Sequence, residues 1–291
     1  MSVDARLASP IESHKTMGNT VATLSHINLT LHKPAAALHP FVKDYWFISG
    51  TAGTSPKTEY LPADTGCGIT FNFGDSILMG ETLTNQCCVV NGPNTRSMPL
   101  HLGSHVDALG IRFHPGMGYP FFQQPLTDFP EPIEPHSQLT LRLTLNHIYD
   151  QLAKAQHPSE RTLLLDDWLL HHLTHSLSIQ PDLTAALNWL EQQPQDPIAN
   201  LPHHVDLGQR QLERVFKQWV GISPKQYHRI VRINTVRSSL RNQSHDIRLS
   251  DEAINAGYFD QAHMSREFKR VVGLTPGQYL KCLSKNETAP R

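Results

Sequence analysis

The strongest constraint in this 291-residue chain is that one stretch of it occurs twice. Residues 212–227 read LERVFKQWVGISPKQY, and residues 264–279, 52 positions on, read MSREFKRVVGLTPGQY. Eight of sixteen positions are identical: Arg, Phe, Lys, Val, Gly, Pro, Gln and Tyr. A repeat at this spacing marks two copies of one supersecondary unit. Gly221 and Gly273 are placed to end a helix in the left-handed conformation. Ser223-Pro224 and Thr275-Pro276 then supply an N-cap and a first-turn proline for the helix that follows. Upstream of each longer helix the pattern predicts a short helix and a turn, at Asp206 in the first copy and at Gly257 in the second. That is a pair of helix-turn-helix units, each with a second helix suited to a major groove. Between them, residues 224–242 predict a helical linker of roughly 18 residues, or ~27 Å. Successive major grooves on one face of DNA lie ~34 Å apart.

The charge distribution supports a division at Pro197. The whole chain has 25 Lys and Arg against 26 Asp and Glu, a formal net charge of −1 that points to no charged partner. Residues 1–197, however, hold 10 basic and 18 acidic side chains, whereas 198–285 hold 14 and 7. An acidic half joined to a basic half directs attention to nucleic acid as the partner of the basic one. It also implies that the halves attract, so the acidic one is expected to shade the basic one.

Upstream, the first 25 residues are polar and without a period, and are expected to be a flexible tail. A β-rich domain is expected over 26–135, with strands at 42–48, 68–73, 87–90, 98–102 and 106–113. Turn-forming sequences separate them, among them Pro62-Ala-Asp-Thr-Gly66, Asn91-Gly-Pro-Asn94 and Pro115-Gly116. Strands at this spacing suggest a compact barrel or sandwich. A proline-rich loop over 126–135 precedes a helical connector, 136–180. There Leu141, Leu145, Ile148 and Leu152 share one helix face, and Leu165, Trp168, Leu169 and Leu173 mark a second helix running toward Leu177. These leucine faces either form a dimer seam or cover the barrel. A further helix over 182–193 opens the C-terminal domain, 182–285. The fold class is therefore α+β, with a β-barrel-like N-terminal domain, a helical connector, and an all-α domain of two helix-turn-helix units joined by a linker helix.

The basic region resembles the AraC/XylS family of transcription regulators over 198–283. The family pattern Gly-Phe/Tyr-x-[Asp/Ser]-x-x-x-Phe-x-Arg-x-Phe-Lys stands here as Gly257-Tyr-Phe-Asp-Gln-Ala-His-Met-Ser-Arg-Glu-Phe268-Lys. The form Gly-Tyr-Phe-Asp-Gln-Ala-His is similar to one subgroup. That subgroup's N-terminal domain is also similar to this one at Leu61-Pro-Ala-Asp-Thr-Gly66, Val90-Asn-Gly-Pro93 and Gly110-Ile-Arg-Phe-His-Pro-Gly116. The resemblance implies that Gln209, Arg210, Glu213, Arg214 and Lys217 face DNA from the first reading helix. From the second, capped by Asp260, it implies Gln261, Ala262, His263, Ser265 and Arg266. Arg suits guanine, Gln suits adenine and Ala suits a thymine methyl; Lys217, Lys269 and Arg270 suit phosphates. Partners implied are double-stranded promoter DNA, a second copy of the chain in a homodimer, RNA polymerase for an activator, and a small-molecule effector. Three positions depart from the family pattern: Pro202 in the leading helix of the first unit, Gly208 in place of a Ser cap, and Glu252 where an apolar residue packs.

Other chemistry has little support. Trp46, Phe71, Phe73 and Phe113 are candidates to line an effector pocket, with plain core as the alternative. His171 and His175, or His101 and His105, lack the Glu and third ligand of a metal site. Cys87 and Cys88 flank an apolar strand and form no Cys-x-x-Cys pair. No cofactor, metal or catalytic residue is expected, and no membrane span; the expected location is cytoplasmic. The rival reading is a small hydrolase or metal-dependent domain over 38–178 with a DNA-binding domain attached, and it finds no nucleophile elbow or phosphate loop.

Overall fold

A computed structural model describes residues 27–51, 59–85, 87–129, 142–173, 180–242 and 248–284. The expected tail, most of the proline-rich loop, Leu141, His175 and Leu177 lie outside the described residues.

The N-terminal part is built on two antiparallel sheets. The larger runs β1 (Ile27–His32), β2 (Val42–Thr51), β9 (His105–Phe113), β4 (Gly68–Asn72), β7 (Cys88–Asn91), in that spatial order. The smaller runs β3 (Glu59–Leu61), β8 (Met98–His101), β5 (Ile77–Met79), β6 (Thr82–Thr84). Period-two alternation explains why the larger sheet is buried on both faces. Tyr45, Phe47, Ile69, Phe71, Cys88, Val90, Leu109, Ile111 and Phe113 point to one core. Their neighbours Ile48, Val89, Val106 and Ala108 point to another, closed by Ile77, Met79 and Leu100 of the smaller sheet. A register shift between Val42 and Asp44 in β2 lets Val42 and Tyr45 share a face despite their odd spacing.

The first core is covered by α2 (Arg142–Lys154) and α3 (Pro158–Leu173). Leu145, Ile148, Leu152, Leu165, Trp168 and Leu169 all enter it. The leucine faces of the connector thus cover the sheet. Two polar ties hold the cover down: Arg161 makes a paired contact with Asp107 of β9 at 2.7 and 3.1 Å, and Tyr45 donates to Asp166 at 2.8 Å. A short helix α1 (Tyr119–Phe122) follows β9.

The C-terminal part is all helical: α4 (Pro181–Gln192), a 3-10 segment (Ile198–His203), α5 (Gln209–Trp219), α6 (Pro224–Asn242), α7 (Leu249–Asn255), α8 (Gln261–Val272) and α9 (Pro276–Ser284). The first unit's leading helix is a 3-10 segment because Pro202 lies inside it. Proline lacks the N–H an α-helix needs and crowds the carbonyl four residues back. Glu252, in the first turn of α7, is buried, in a place where the helix dipole favours a carboxylate.

Candidate nucleic-acid interface

The two repeat copies fold alike because each residue they share has a local task. Gly221 and Gly273 adopt φ of +87° and +86°, ending α5 and α8 as their type allows. In the first copy, the Ser223 hydroxyl accepts from the Gln226 N–H at 3.2 Å, and the Gln226 side chain accepts from the Ser223 N–H at 3.1 Å. Thr275 and Gln278 repeat this exchange at 3.3 and 2.9 Å. These are reciprocal capping boxes, and they account for the identical Gln in both copies. Phe216 and Phe268 are fully buried, each with its ring set edge-on to the repeated Tyr, Tyr227 and Tyr279.

Between the copies, α6 spans 19 residues, ~28 Å long. Tyr227, Ile230, Ile233, Val236 and Leu240 are buried along it, and α5, α7, α8 and α9 all pack on it. Arg229 of α6 pairs with Glu267 of α8 at 2.5 Å. Arg232 donates to the Ala256 carbonyl at 2.7 Å and lies 3.7 Å over the Tyr258 ring. On the other side Tyr227 donates to Glu191 of α4 at 2.5 Å, and His228 meets the Pro194 carbonyl at 2.8 Å. Burial, then the Glu191 charge, holds the Tyr227 phenol well above its ordinary value, so it stays a donor; burial lowers His228. Both reading helices are therefore fixed to one central rod.

Leu212, Val215 and Phe216 of α5, and Met264 and Phe268 of α8, are buried. Gln209, Arg210, Glu213, Arg214 and Lys217 are exposed, as are Gln261, Ala262, His263, Arg266, Lys269 and Arg270; Ser265 is half-buried. Arg210, Arg214 and Lys217 fall at i, i+4 and i+7, and Ala262, Arg266 and Lys269 repeat that stripe in α8. The caps of the two helices differ. Asp260 accepts from the His263 N–H at 2.6 Å, whereas Gly208 makes no side-chain bond. The His263 ring stands edge-on to Tyr258, 5.2 Å between centroids. Arg270 is set apart from the stripe: with Thr95, Arg96, Gln226 and Arg229 it lines a cleft of about 210 Å³ facing the N-terminal part. Its counterpart in the first copy, Gln218, likewise turns that way and donates to the Tyr119 hydroxyl at 2.6 Å.

That junction is the feature the sequence reading missed, although the three N-terminal segments singled out for similarity carry it. Asp64 from the first segment bridges to Asn94 and pairs with Arg112 of the third at 2.6 Å. Burial opposes charge on Asp64, but Arg112, Lys43 and the Gly66 N–H keep its carboxyl below the usual range. Ala63 joins the C-terminal core. The Ser97 N–H donates to the Val271 carbonyl near the end of α8 at 2.7 Å, and the Tyr119 ring lies tilted against Trp219, 4.6 Å between centroids. The acidic half therefore docks on the flanks of α5, α6 and α8, and among the described residues the outward stripes of both helices stay exposed.

The four aromatics proposed for an effector are not gathered in one place. Phe71 and Phe113 are fully buried in the core under α2 and α3. Phe73 stacks on Tyr149 beneath the Arg161 guanidinium, and Trp46 lies across Gly110 on the opposite sheet face. Among the described residues, no group of three or more His, Cys, Asp or Glu is placed to hold a metal, and no helix is long and apolar enough to cross a membrane.

Comparison with known proteins matches residues 202–281 to the family described as a helix-turn-helix domain, and residues 30–132 to a domain of unknown function, DUF6597. The chain is 32% identical over 101 residues to the HTH-type transcriptional regulator ArgR of Pseudomonas aeruginosa, 34% of this chain and 30% of that protein. It is 32% identical over 93 residues to the HTH-type transcriptional activator RhaR of Yersinia pseudotuberculosis, 32% of this chain and 31% of that one. Each match thus spans under a third of the relative's own length. A crystal structure of ToxT from Vibrio cholerae aligns over 79% of this chain and 98% of that one, at 9% identity and a TM-score of 0.41. The duplicated C-terminal region, residues 202–281, is therefore an AraC-type helix-turn-helix domain.

Proposed function

We propose that the chain is a sequence-specific DNA-binding transcription regulator that reads promoter DNA through α5 and α8 in adjacent major grooves. One observation carries this reading: two equivalent helices, held on one buried rod, present matching stripes with basic residues to solvent. The positive stripes neutralise phosphates and so supply most of the affinity. The side chains nearest the N-termini of the helices reach base edges and supply preference. Arg210, Arg214 and Arg266 suit guanine, Gln209 and Gln261 suit adenine, and Lys217 and Lys269 hold the backbone; Arg270, which faces the N-terminal part, is not one of these contacts. The relatives named as regulators favour this reading over a hydrolase or metal-dependent enzyme.

In this proposal the N-terminal domain controls the reader, through a small-molecule effector or by forming a homodimer, and the regulator acts in the cytoplasm. The name of the RhaR relative favours activation, with RNA polymerase as the further partner. The docked junction at Asp64, Arg112 and Tyr119 is the route by which a change in the sheets reaches α5 and α8.

The test is quantitative binding to duplexes that the full-length protein selects from a random pool. Arg266→Ala is expected to relax base preference at one position, costing about 1–3 kcal/mol of discrimination. Lys217→Ala is expected to weaken all sequences alike and to lower the salt slope by about one. Full specific affinity in both variants at fixed salt would show that the helices are docked wrongly.

A further inference from the structure

Phe259 is the most exposed large apolar side chain among the described residues, at 93%. It directly precedes the N-cap of α8, and its position is well held. On one side Tyr258 is buried, with Arg232 over its ring and His263 at its edge; on the other Asp260 caps the helix. The phenyl ring is therefore presented from a fixed stretch of backbone.

An apolar residue just before a helix cap ordinarily folds back onto the fourth helical residue. The first repeat copy does this. Leu207, the counterpart of Phe259 at the 52-residue offset, packs against the core that contains Leu212. In the second copy Met264 occupies that fourth position and is fully buried without help from Phe259. The equivalent side chain is thus spent on the core in one unit and left in solvent in the other.

We infer that Phe259 reads a thymine through its 5-methyl group at the edge of the site that α8 occupies. This inference rests on the DNA-reading function proposed above. The N-terminal end of a reading helix is the part that approaches base edges, so the residue before the cap enters with it. A phenyl ring makes no hydrogen bond to a phosphate or to a purine edge. The apolar group that the major groove offers is the thymine methyl. Insertion between base steps is a minor-groove device and does not suit a helix in the major groove. Phe259 therefore adds a base preference that hydrogen-bonding side chains do not supply.

The experiment uses the full chain and duplexes it selects from a random pool, with each thymine in turn replaced by deoxyuridine, which lacks only the methyl. For wild type, at least one replacement is expected to weaken binding about fourfold, the value for burying one methyl-sized group. Phe259→Ala is expected to lose a similar factor on the thymine duplex and to be indifferent to that replacement. Phe259→Leu should keep part of the discrimination. Unchanged thermal unfolding and unchanged binding to poly(dI-dC) show that the variants are folded. The inference is overturned if Phe259→Ala binds the selected duplex like wild type, or if the deoxyuridine penalty persists in the variant. Unchanged DNA binding with lost promoter activation would instead assign the ring to a protein partner. If wild type selects no duplex, the DNA-reading function falls, and this inference with it.

Discussion

At Gly110, in the middle of β9, the absence of a β-carbon decides how two strands lie. A Cβ there would come within 2.3 Å of the Trp46 indole, which lies across it from the paired position on β2. Gly110→Ala is expected to lower stability by about 1–3 kcal/mol through overpacking, seen as a lower denaturant midpoint at unchanged slope. An unchanged midpoint would mean that the indole moves freely. The segment around Gly110 stood out in the sequence, and so did Trp46. Their contact did not, because it depends on a strand register between residues 64 positions apart. His114, four residues on, shows the same dependence on distant neighbours. Burial, then the charges of Lys43 and Arg112, bring it down to about 4. The group is thus neutral when folded and protonates near pH 6.5 when unfolded. Its contribution to stability is complete above about pH 6.5 and is lost as pH falls toward 4. His114→Gln is expected to flatten part of the fall in urea midpoint between pH 7.5 and 4.5; an identical profile would assign that fall to carboxylates.

Elements whose signals are local were legible in the sequence. Helices α5, α6 and α8 begin and end within a residue or so of the caps and glycines that announced them, because capping is settled by neighbours along the chain. Strands β1, β3, β5 and β6 were not legible. Three of them are three residues long, and pairing with a distant strand, rather than any pattern of their own, makes them strands. The leading segment of the first unit falls between these cases: Pro202 was visible, but whether it stood in the first turn or inside the segment depended on where the segment starts, which is at Ile198. The caps allow a direct comparison of the two reading helices. Asp260→Ala is expected to cost about 1 kcal/mol. Gly208 has extended backbone, with open space where a side chain would stand. Gly208→Ser is therefore expected to raise stability by about 0.5–1 kcal/mol, from a cap bond and a less flexible unfolded chain. A lowered midpoint for Gly208→Ser would show that the first reading helix needs its glycine.

Over the whole molecule, the two repeat units are joined to each other as well as to the sheets. Gly257, the turn of the second unit at φ +72°, lies so close to the Gln195 backbone that a Cβ would reach 2.2 Å from its carbonyl oxygen. Tyr119 completes the connection from the N-terminal side. Tyr119→Ala removes both its ring contact with Trp219 and its bond from Gln218, and is expected to separate one calorimetric unfolding transition into two. A single unshifted transition would show that the halves are held together elsewhere. The repeat pointed to two helix-turn-helix units but not to this junction, whose N-terminal residues Ala63, Asp64, Ser97, Arg112 and Tyr119 are scattered over loops, a strand and a short helix and share no period. The rigid rod α6 also has a consequence for genomes. In the proposed docking, one base pair inserted between the two grooves turns one of them by about 34–36° around the DNA axis, and a helix on which α5, α7, α8 and α9 all pack cannot follow. In the proposed mode of DNA reading, operators should therefore drift by substitution while keeping their spacing, so that a spacing rule, more than any single base, identifies them.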